Sequence, residues 1–186
     1  TDGIDTASAN LVVTFNAVNE DLIGTNAANR LTGGSSGELL KGLGGNDVLN
    51  GAGGNDRIYG GADNDRLIGG LGADDLYGGA GKDVFDFNAV SEMGKARNNT
   101  DAIFDFSHAQ GDRIDLSDID ASTRRSGDQD FSFIGTSTFH KVAGELRYEA
   151  SKSGLSLLGD TNGDGKADFV LDIDSATKLV KGDFLL

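Results

Sequence analysis

The chain has no cysteine and no proline. Without cysteine there is no disulfide to stabilise the fold and no thiol for catalysis. No apolar run approaches the length of a membrane span. A chain without proline that carries 29 glycines has the composition of a disordered segment if those glycines are scattered. They are periodic here, so the composition does not predict disorder.

Positive charge is also scarce, with 16 Lys and Arg against 30 Asp and Glu and a formal net charge of −14. No basic patch with interleaved aromatic residues occurs, so nucleic acid is not an expected partner. The length predicts one or two domains. Because the sequence starts at Thr1 without a secretory peptide, we expect it to be a piece of a longer protein.

Catalytic motifs are missing from the sequence. Its two histidines, His108 and His140, belong to no zinc-binding H-E-x-x-H pattern. The stretch Gly135–Phe139 lacks the closing glycine of a nucleophile elbow. We therefore predict that the chain is not an enzyme. If the parent protein is a protease, lipase or polysaccharide-modifying enzyme, its catalytic domain is expected upstream of Thr1.

A nine-residue unit is written seven times between Gly24 and Asp86, and such a period indicates a repeat architecture. The units begin at Gly24, Gly33, Gly42, Gly51, Gly60, Gly69 and Gly78. Their sixth places hold Asn29, Glu38, Asp47, Asp56, Asp65, Asp74 and Asp83. Their eighth places hold Leu31, Leu40, Leu49, Ile58, Leu67, Leu76 and Phe85.

Each unit reads as a glycine-rich turn followed by a very short strand with its eighth residue pointing inward. Two units make one coil, so alternate units stack. This predicts one inward ladder of Leu31, Leu49, Leu67 and Phe85 and a facing ladder of Leu40, Ile58 and Leu76. A single unit cannot bury its apolar residue alone, so the stack is stable only collectively.

Stacked strands are about 4.8 Å apart, which brings sixth-place carboxylates close together. Their mutual repulsion calls for a bound cation. Calcium takes six to eight oxygen ligands in irregular cages, and the loops offer carboxylates and unhindered glycine carbonyls. We therefore expect several calcium ions. The alternative is a metal-free solenoid whose aspartates cap their own turns.

The pattern GGxGxDx(Leu/Ile/Phe)x resembles the RTX calcium-binding nonapeptide repeat. The resemblance implies an all-β fold, a right-handed parallel β-roll that acts as a calcium-binding solenoid with a β-rich C-terminal cap. It also implies main-chain ligands from the first four places and the sixth-place carboxylate. On this chain the implied metal ligands are Gly42, Gly44, Gly45, Asp47, Gly51, Gly53, Gly54, Asp56, Gly60, Gly61, Ala62, Asp65, Gly69, Gly70, Gly72, Asp74, Gly78, Gly79, Gly81 and Asp83.

Several units depart from the pattern. Asn29 and Glu38 replace the sixth-place aspartate, so we expect the first coil to be a weak or empty site. The other departures are Leu43 and Ala52 at the second place and Ser36 and Asp63 at the fourth.

The segments that flank the repeats are predicted to be caps. Residues 1–23 form an N-terminal cap or linker with a strand at Leu11–Phe15, and residues 24–86 form the roll. Residues 87–186 form a β-rich C-terminal cap. In this last segment we predict a short helix at Ser117–Ser126 and strands at Asp101–Phe106, Gly111–Ser117, Phe131–Ile134, Glu145–Tyr148, Leu155–Leu158 and Phe169–Ile173.

The C-terminal half is similar to the C-terminal module of serralysin-type proteases, through DAIFDF, GDRIDLS, DTNGDGKADFVLDI and the final DFLL. The resemblance implies that Asp101, and with it Asp112, completes the last calcium cages. It further implies that Asp183, Phe184, Leu185 and Leu186 form a secretion signal read by the type I (ABC) secretion machinery.

The segment Asp160–Gly165 spells the first half of an EF-hand loop, with Asp160, Asn162 and Asp164 at its first, third and fifth places. Asp168 falls at the ninth place, but Leu171 stands where a bidentate glutamate belongs. A weak calcium site and a metal-free turn between two strands both fit this pattern.

These patterns together predict a secreted, extracellular module that folds on calcium and carries a type I secretion signal. The alternative function is binding of an alginate-like polysaccharide as an accessory module of a carbohydrate-active enzyme, with a face formed by Lys41, Arg57, Tyr59, Arg66 and Tyr77.

Overall fold

The computed structural model describes residues 12–14, 21–95, 100–174 and 176–186. Within these ranges the regular elements are sixteen strands and one short 3-10 helix at Lys181–Asp183. The first nine strands are β1 Val12–Thr14, β2 Leu22–Ile23, β3 Arg30–Thr32, β4 Leu39–Leu43, β5 Val48–Asn50, β6 Arg57–Ala62, β7 Arg66–Ile68, β8 Asp75–Ala80 and β9 Val84–Asp86. The remaining strands are β10 Ala102–Ile103, β11 Arg113–Asp115, β12 Ser132–Phe133, β13 Glu145–Ala150, β14 Gly154–Asp160, β15 Phe169–Asp174 and β16 Phe184–Leu185.

The strands form two sheets, and consecutive strands of the repeats alternate between them. The seven-stranded sheet has the order β1-β3-β5-β7-β9-β11-β16 and is parallel throughout. The nine-stranded sheet has the order β12-β13-β14-β15-β10-β8-β6-β4-β2. Because two nine-residue units make one coil, neighbouring strands of the repeats lie 18 residues apart in sequence.

The two inward ladders are confirmed by the strand register. In one sheet Leu31 pairs with Leu49, Leu49 with Leu67, and Leu67 with Phe85. In the other sheet Leu40 pairs with Ile58 and Ile58 with Leu76. All seven side chains are fully buried. The core of the roll is therefore two facing columns of apolar residues, one residue per strand.

Both sheets extend beyond the repeats. At the N-terminal end β1 pairs with β3, so that Val12 lies opposite Arg30 at the same 18-residue interval. At the other end β10 joins β8, and β11 joins β9. The ends of the strand predicted at Leu11–Phe15 and most of the predicted N-terminal cap lie outside the described residues. The division of the chain at residues 23 and 86 stays a prediction.

The C-terminal part adds antiparallel strands to this parallel framework. β13, β14 and β15 pair antiparallel in sequence order, and β15 then joins β10 in parallel. The last strand, β16, lies parallel to β11. The predicted fold class, an all-β parallel β-roll with a β-rich C-terminal part, is confirmed. In the described residues no helix is long and apolar enough to cross a membrane.

The helix predicted at Ser117–Ser126 is wrong, because these residues form turns and bends. Side-chain carboxylates instead accept hydrogen bonds from backbone N–H groups of this segment. Asp115 Oδ1 accepts a hydrogen bond from the Ser117 N–H at 3.1 Å, and Asp120 Oδ1 accepts one from the Ser122 N–H at 3.0 Å. Such local bonds favour turns over helices.

Candidate metal centre

The sixth-place side chains lie in two columns, defined by the sheet into which their loops lead. The first column precedes strands of the seven-stranded sheet and consists of Asn29, Asp47, Asp65, Asp83 and Asp112. The second column precedes strands of the nine-stranded sheet and consists of Glu38, Asp56, Asp74 and Asp101. Every member is at most 5% exposed. The repeats thus bury a line of acidic groups on each side of the roll.

One carboxylate oxygen of each stacked aspartate accepts a hydrogen bond from the preceding coil. The backbone N–H of Asp47 donates to Asp65 Oδ1 at 2.8 Å, and that of Asp56 donates to Asp74 Oδ1 at 2.7 Å. The pattern continues past the repeats, where the Asp74 N–H donates to Asp101 Oδ1 at 2.9 Å. Asp101 is therefore the next member of the second column, although 27 residues separate it from Asp74.

The second carboxylate oxygen is buried and has no hydrogen-bond partner in most of these residues. Among the described residues the unpartnered carboxylate oxygens are Glu38 Oε1 and the Oδ2 atoms of Asp47, Asp56, Asp65, Asp74, Asp83 and Asp101. A buried charge without a partner is strongly destabilising. Seven unpartnered carboxylate oxygens in two aligned columns therefore require a cation.

In the five units with a sixth-place aspartate, the opening glycine leaves a space beside this oxygen. A Cβ atom placed on Gly42 would lie 2.2 Å from Asp47 Oδ2 and 2.5 Å from the Gly60 carbonyl oxygen. A Cβ atom on Gly51 would lie 2.1 Å from Asp56 Oδ2. A side chain at these places would fill the space where carboxylate and carbonyl oxygens converge.

Burial raises the pKa of these carboxyl groups well above the ordinary value of 3.8. The pKa of Asp56 and Asp65 rises to about 7 and that of Asp101 to about 8, because desolvation disfavours the charged form. Desolvation likewise raises the pKa to about 6 in Asp47, Asp74 and Asp83. In all six groups a backbone N–H donor opposes the rise, and neighbouring carboxylates add to it.

The buried carboxylate oxygens and the glycine carbonyl oxygens beside them fit a hard divalent cation. No group of three or more His, Cys, Asp or Glu side chains that could hold a metal occurs in the described part of the chain. A bound ion would therefore take most of its ligands from main-chain carbonyls, which calcium accepts readily. The glycine-lined spaces provide such carbonyls next to unpartnered carboxylate oxygens. The ligand roles of individual residues stay predictions.

Positive φ angles explain the glycines at the second and fourth places from the third unit onward. Gly61 has φ +119°, and a Cβ atom there would lie 2.3 Å from the Leu43 carbonyl oxygen. Leu43, Ala52 and Asp63 adopt the same left-handed conformation without being glycine, with φ of 79°, 71° and 74°. The loops keep their shape at these departures and carry the strain.

Several polar residues that close the loops escaped the sequence analysis. Asp105 accepts hydrogen bonds from the N–H groups of Gly78 and Gly79 at 2.8 and 2.9 Å. Gln110 accepts one from the Gly81 N–H at 2.8 Å. These two residues complete the last loop, which no repeat follows. The fifth-place asparagines accept hydrogen bonds from backbone N–H groups of the next coil. Their recurrence in three units was a sequence signal for this role: Asn46, Asn55 and Asn64.

The loop at Asp160–Asp168 connects β14 to β15, and its acidic side chains have protein partners. Asp160 accepts hydrogen bonds from the Gly163 and Gly165 N–H groups at 2.6 and 2.8 Å. Asp168 Oδ2 accepts from the Thr161 N–H at 2.8 Å, and Asn162 Oδ1 accepts from the Asp164 N–H at 2.9 Å. A metal role for this loop stays a prediction.

The residues predicted to bind a polysaccharide lie on two different faces. Lys41, Arg57, Tyr59 and Tyr77 belong to strands of the nine-stranded sheet. Tyr59 and Tyr77 stack with ring centroids 4.5 Å apart, and Phe104 continues the stack. Arg66 lies in the other sheet and forms ion pairs with Asp86 at 2.8 Å and Asp115 at 3.2 Å.

The C-terminal residues are part of the roll. Asp183 is fully buried, accepts a hydrogen bond from the Val180 N–H at 2.7 Å and contacts His108 Nδ1 at 2.5 Å. Phe184 is buried and Leu185 is exposed. Of the four residues predicted to form a secretion signal, Phe184 and Leu185 thus form the last strand of the seven-stranded sheet, and Asp183 anchors it.

Comparisons with known proteins agree with this architecture. The family model described as RTX calcium-binding nonapeptide repeat (4 copies) matches residues 16–49, and the model described as peptidase M10 serralysin C terminal matches residues 40–186. A search of curated proteins finds no match. The solution structure of the AlgE6R2 subunit from the Azotobacter vinelandii mannuronan C5-epimerase has a similar fold, with a TM-score of 0.53 and 24% identity over 96% of this chain and 92% of that one. The chain belongs to the family of serralysin C-terminal modules that carry RTX calcium-binding repeats.

Proposed function

We propose that this chain is the calcium-binding module of an exported bacterial protein, that it folds when it meets calcium outside the cell, and that its last four residues are a type I secretion signal. The observation that carries the proposal is the set of seven buried, unpartnered carboxylate oxygens in two aligned columns. An upstream domain would supply the activity of the parent protein.

Two costs oppose folding of the metal-free chain. The aligned carboxylates repel one another and lose their hydration. The glycine-rich loops also lose more conformational entropy on ordering than other sequences do. Where calcium is scarce, as inside a cell, both costs keep the chain unfolded and suited to passage through an exporter.

Calcium supplies the positive charge that these columns lack, and extracellular modules bind it with a Kd of roughly 10⁻⁴–10⁻³ M. The two columns exist only when alternate coils are stacked. Binding to the folded state alone adds the binding free energy to the free energy of unfolding.

The position of the signal residues supports export before folding. Asp183 and Phe184 are buried in the folded chain, and Leu116 donates its N–H to the Leu185 carbonyl at 2.9 Å. An exporter that reads these residues would reach them fully only while β16 is not docked on β11.

The test is far-UV circular dichroism of the chain titrated with calcium, with magnesium as the control ion. We expect a cooperative gain of β signal with calcium alone, reversed by a chelator. A fully folded spectrum in chelator would reject calcium-triggered folding.

A matched pair of variants locates the effect. Asp74 and Asp75 are adjacent and carry the same charge, but Asp74 is buried in the second column whereas Asp75 pairs with Arg57 on the surface at 3.3 Å. We expect Asp74→Asn to raise the calcium midpoint about tenfold, equivalent to about 1.4 kcal/mol. Asp75→Asn should change it less than about twofold, since exposed ion pairs contribute little. Equal shifts would contradict the assignment of Asp74.

A second candidate function is binding of an acidic polysaccharide. It is supported by Lys41, Arg57, Tyr59 and Tyr77, which share one sheet. Retention on immobilised alginate that is lost on mutating Arg57 would support it, and absence of retention would reject it.

A further inference from the structure

A compact turn at residues 107–112 lies between β10 and β11. The N–H groups of Gln110, Gly111 and Asp112 all donate to the Ser107 carbonyl oxygen, at 3.1, 3.2 and 3.3 Å. Ser107 in turn donates its N–H to Asp112 Oδ2 at 2.8 Å. These bonds close the turn on itself, so the backbone of His108, its second residue, has a defined position.

The last loop of the repeats holds this turn in place. The Gly81 N–H donates to Gln110 Oε1 at 2.8 Å, and the Asp83 N–H donates to Asp112 Oδ1 at 3.1 Å. The Arg113 N–H, directly after the turn, donates to the Asp83 carbonyl oxygen at 2.9 Å. The turn is therefore fixed on the roll only when the loop that ends at Asp83 is closed.

On its other side the turn presents His108 to the C-terminal strand. Asp183 is fully buried and directly precedes β16. Its Oδ2 atom accepts a hydrogen bond from the Val180 N–H at 2.7 Å, and its Oδ1 atom lies 2.5 Å from His108 Nδ1. The imidazole donates in this contact, because an ionised carboxylate can only accept. Both oxygens of Asp183 thus have partners, unlike the carboxylates of the two columns.

The two side chains of this contact differ in exposure. The His108 side chain is 66% exposed, whereas that of Asp183 is 1% exposed. Little packing holds an exposed imidazole, so the turn is what places His108 beside the carboxylate. Without this donor Asp183 Oδ1 would be buried and unpartnered, a state that costs more free energy than an ordinary hydrogen bond contributes.

The position of Asp183 is coupled to the docking of the strand that follows it. β16 pairs with β11, and the Leu116 N–H donates to the Leu185 carbonyl oxygen at 2.9 Å. The buried Phe184 ring lies against Phe133, with ring centroids 4.9 Å apart. All of these contacts are lost when β16 leaves β11. Exchange of the Leu116 amide hydrogen therefore reports whether the strand is docked.

We propose that His108 is a latch for the C-terminal strand. It provides the donor that lets Asp183 be buried, and it does so only after the last loop of the repeats has closed on the turn at residues 107–112. β16 then docks as a late step of folding. His108 is thus a positioning residue that acts through Asp183. That docking also conceals an export signal is the one part that rests on the function proposed above.

The test is hydrogen exchange of the full chain at saturating calcium, followed by NMR. We expect His108→Ala to raise the exchange rate of the Leu116 amide about tenfold or more. The Arg66 amide, which donates to the Asp47 carbonyl at 2.9 Å within the roll, should keep its rate. His140→Ala is the matched control, because His140 is also exposed and contacts the buried Glu145. It should change the Leu116 rate less than about threefold.

Two further variants separate the latch from a general effect on folding. Asp183→Asn removes the buried charge, so adding His108→Ala to it should change the Leu116 rate less than about threefold. Gln110→Ala removes the acceptor of the Gly81 N–H and loosens the turn, so the Leu116 amide should exchange faster. Gln110→Glu keeps an acceptor at this place and should keep the rate.

An unchanged Leu116 rate in His108→Ala would overturn the latch, and so would an equal effect of that substitution with Asp183 and with Asn at position 183. An unchanged rate in Gln110→Ala would overturn the dependence on the last loop. If His108→Ala does not fold, the double variant decides: it must fold and match Asp183→Asn. Failure of the proposed function is distinguishable, because the unchanged chain would then keep its Arg66 and Leu116 amides protected in chelator.

Discussion

The repeats and the C-terminal part of the chain satisfy their buried acidic groups in different ways. In the repeats, unpartnered oxygens line both columns. In residues 101–186 the buried carboxylates outside those columns have protein donors. Glu145, for example, accepts a hydrogen bond from the His140 N–H and contacts His140 Nδ1, both at 2.7 Å. Dependence on a metal is thus expected to be concentrated in the repeats.

The two regions also differ in how far apart their paired residues lie in the sequence. Neighbouring strands of the repeats are 18 residues apart, whereas Ile114 pairs with Phe184 and Ala102 with Asp172 across most of the C-terminal part. A periodic pairing repeats one sequence interval from strand to strand. A long-range pairing needs a particular side-chain fit at a single place.

The largest difference should come from adding a methyl group to a glycine in each region. Gly72→Ala places a Cβ atom 1.6 Å from the Gly54 carbonyl oxygen at φ +149°, so the loop must rearrange. We expect a loss of more than about 4 kcal/mol in the free energy of unfolding. Gly135 has φ +65°, and a Cβ atom added there would have no neighbour within 4 Å, so Gly135→Ala should cost about 1 kcal/mol. Urea denaturation in calcium measures both, and equal losses would contradict the comparison.

An intermediate effect is expected from pH in the metal-free chain. Burial raises the pKa of Asp56 and Asp65 to about 7 and that of Asp101 to about 8 in the folded state. The folded state therefore binds more protons than the unfolded state between about pH 4 and 8. Stability in chelator should fall as pH rises through this window, because the buried groups must ionise.

The calcium-loaded chain should show the opposite trend, since protons compete with calcium for the same carboxylates. Thermal unfolding at pH 5 and pH 8, with chelator or with saturating calcium, measures both trends. A metal-free chain that is more stable at pH 8 than at pH 5 would refute the prediction. Asp101→Asn should weaken the dependence in chelator, because it removes the group with the highest pKa of the six.

The smallest effect is expected from restoring glycine where the chain departs from it. Leu43 has φ 79° and an exposed side chain. Leu43→Gly removes left-handed strain of about 1–2 kcal/mol but adds flexibility to the unfolded chain, so we expect a gain of about 0.5 kcal/mol. In the C-terminal part Lys141 has φ 64°. Its side chain lies beside Gly165, where an added Cβ atom would be 3.0 Å from Lys141 Cγ. Lys141→Gly loses that packing and should gain less. Urea midpoints rank the two variants, and a loss of stability in Leu43→Gly would contradict the strain argument.

The sequence predicted the apolar ladders correctly because the nine-residue period fixes the inward residue of each strand. Alternate units then supply the strands of the two sheets. It missed Asp105 and Gln110, since no local pattern marks a residue that closes a loop 26 to 29 positions earlier. The helix at Ser117–Ser126 failed for a related reason. The propensity of the segment was outweighed by carboxylates that bond to its backbone.

The contacts of the Arg66 side chain at the surface were likewise not predictable from the local sequence. Its place in the unit predicted that it points outward, and its strand does belong to the roll. The alternation of units between sheets puts it on a different sheet from Arg57, where buried Asp86 and Asp115 hold its guanidinium group. A face that combines Arg57 and Arg66 therefore does not form.

The sequence by itself determined the coil, because a strict nine-residue period fixes which residues point inward and which carboxylates align. The tertiary structure decided how the columns end. Asn29 and Glu38 occupy equivalent places in the repeat, but Thr25 satisfies the Asn29 side chain whereas the Glu38 Oε1 atom stays unpartnered. The physical reason is that the nine-residue period fixes which side chains point inward, whereas hydrogen bonding of a buried side chain depends on the residues that happen to surround it.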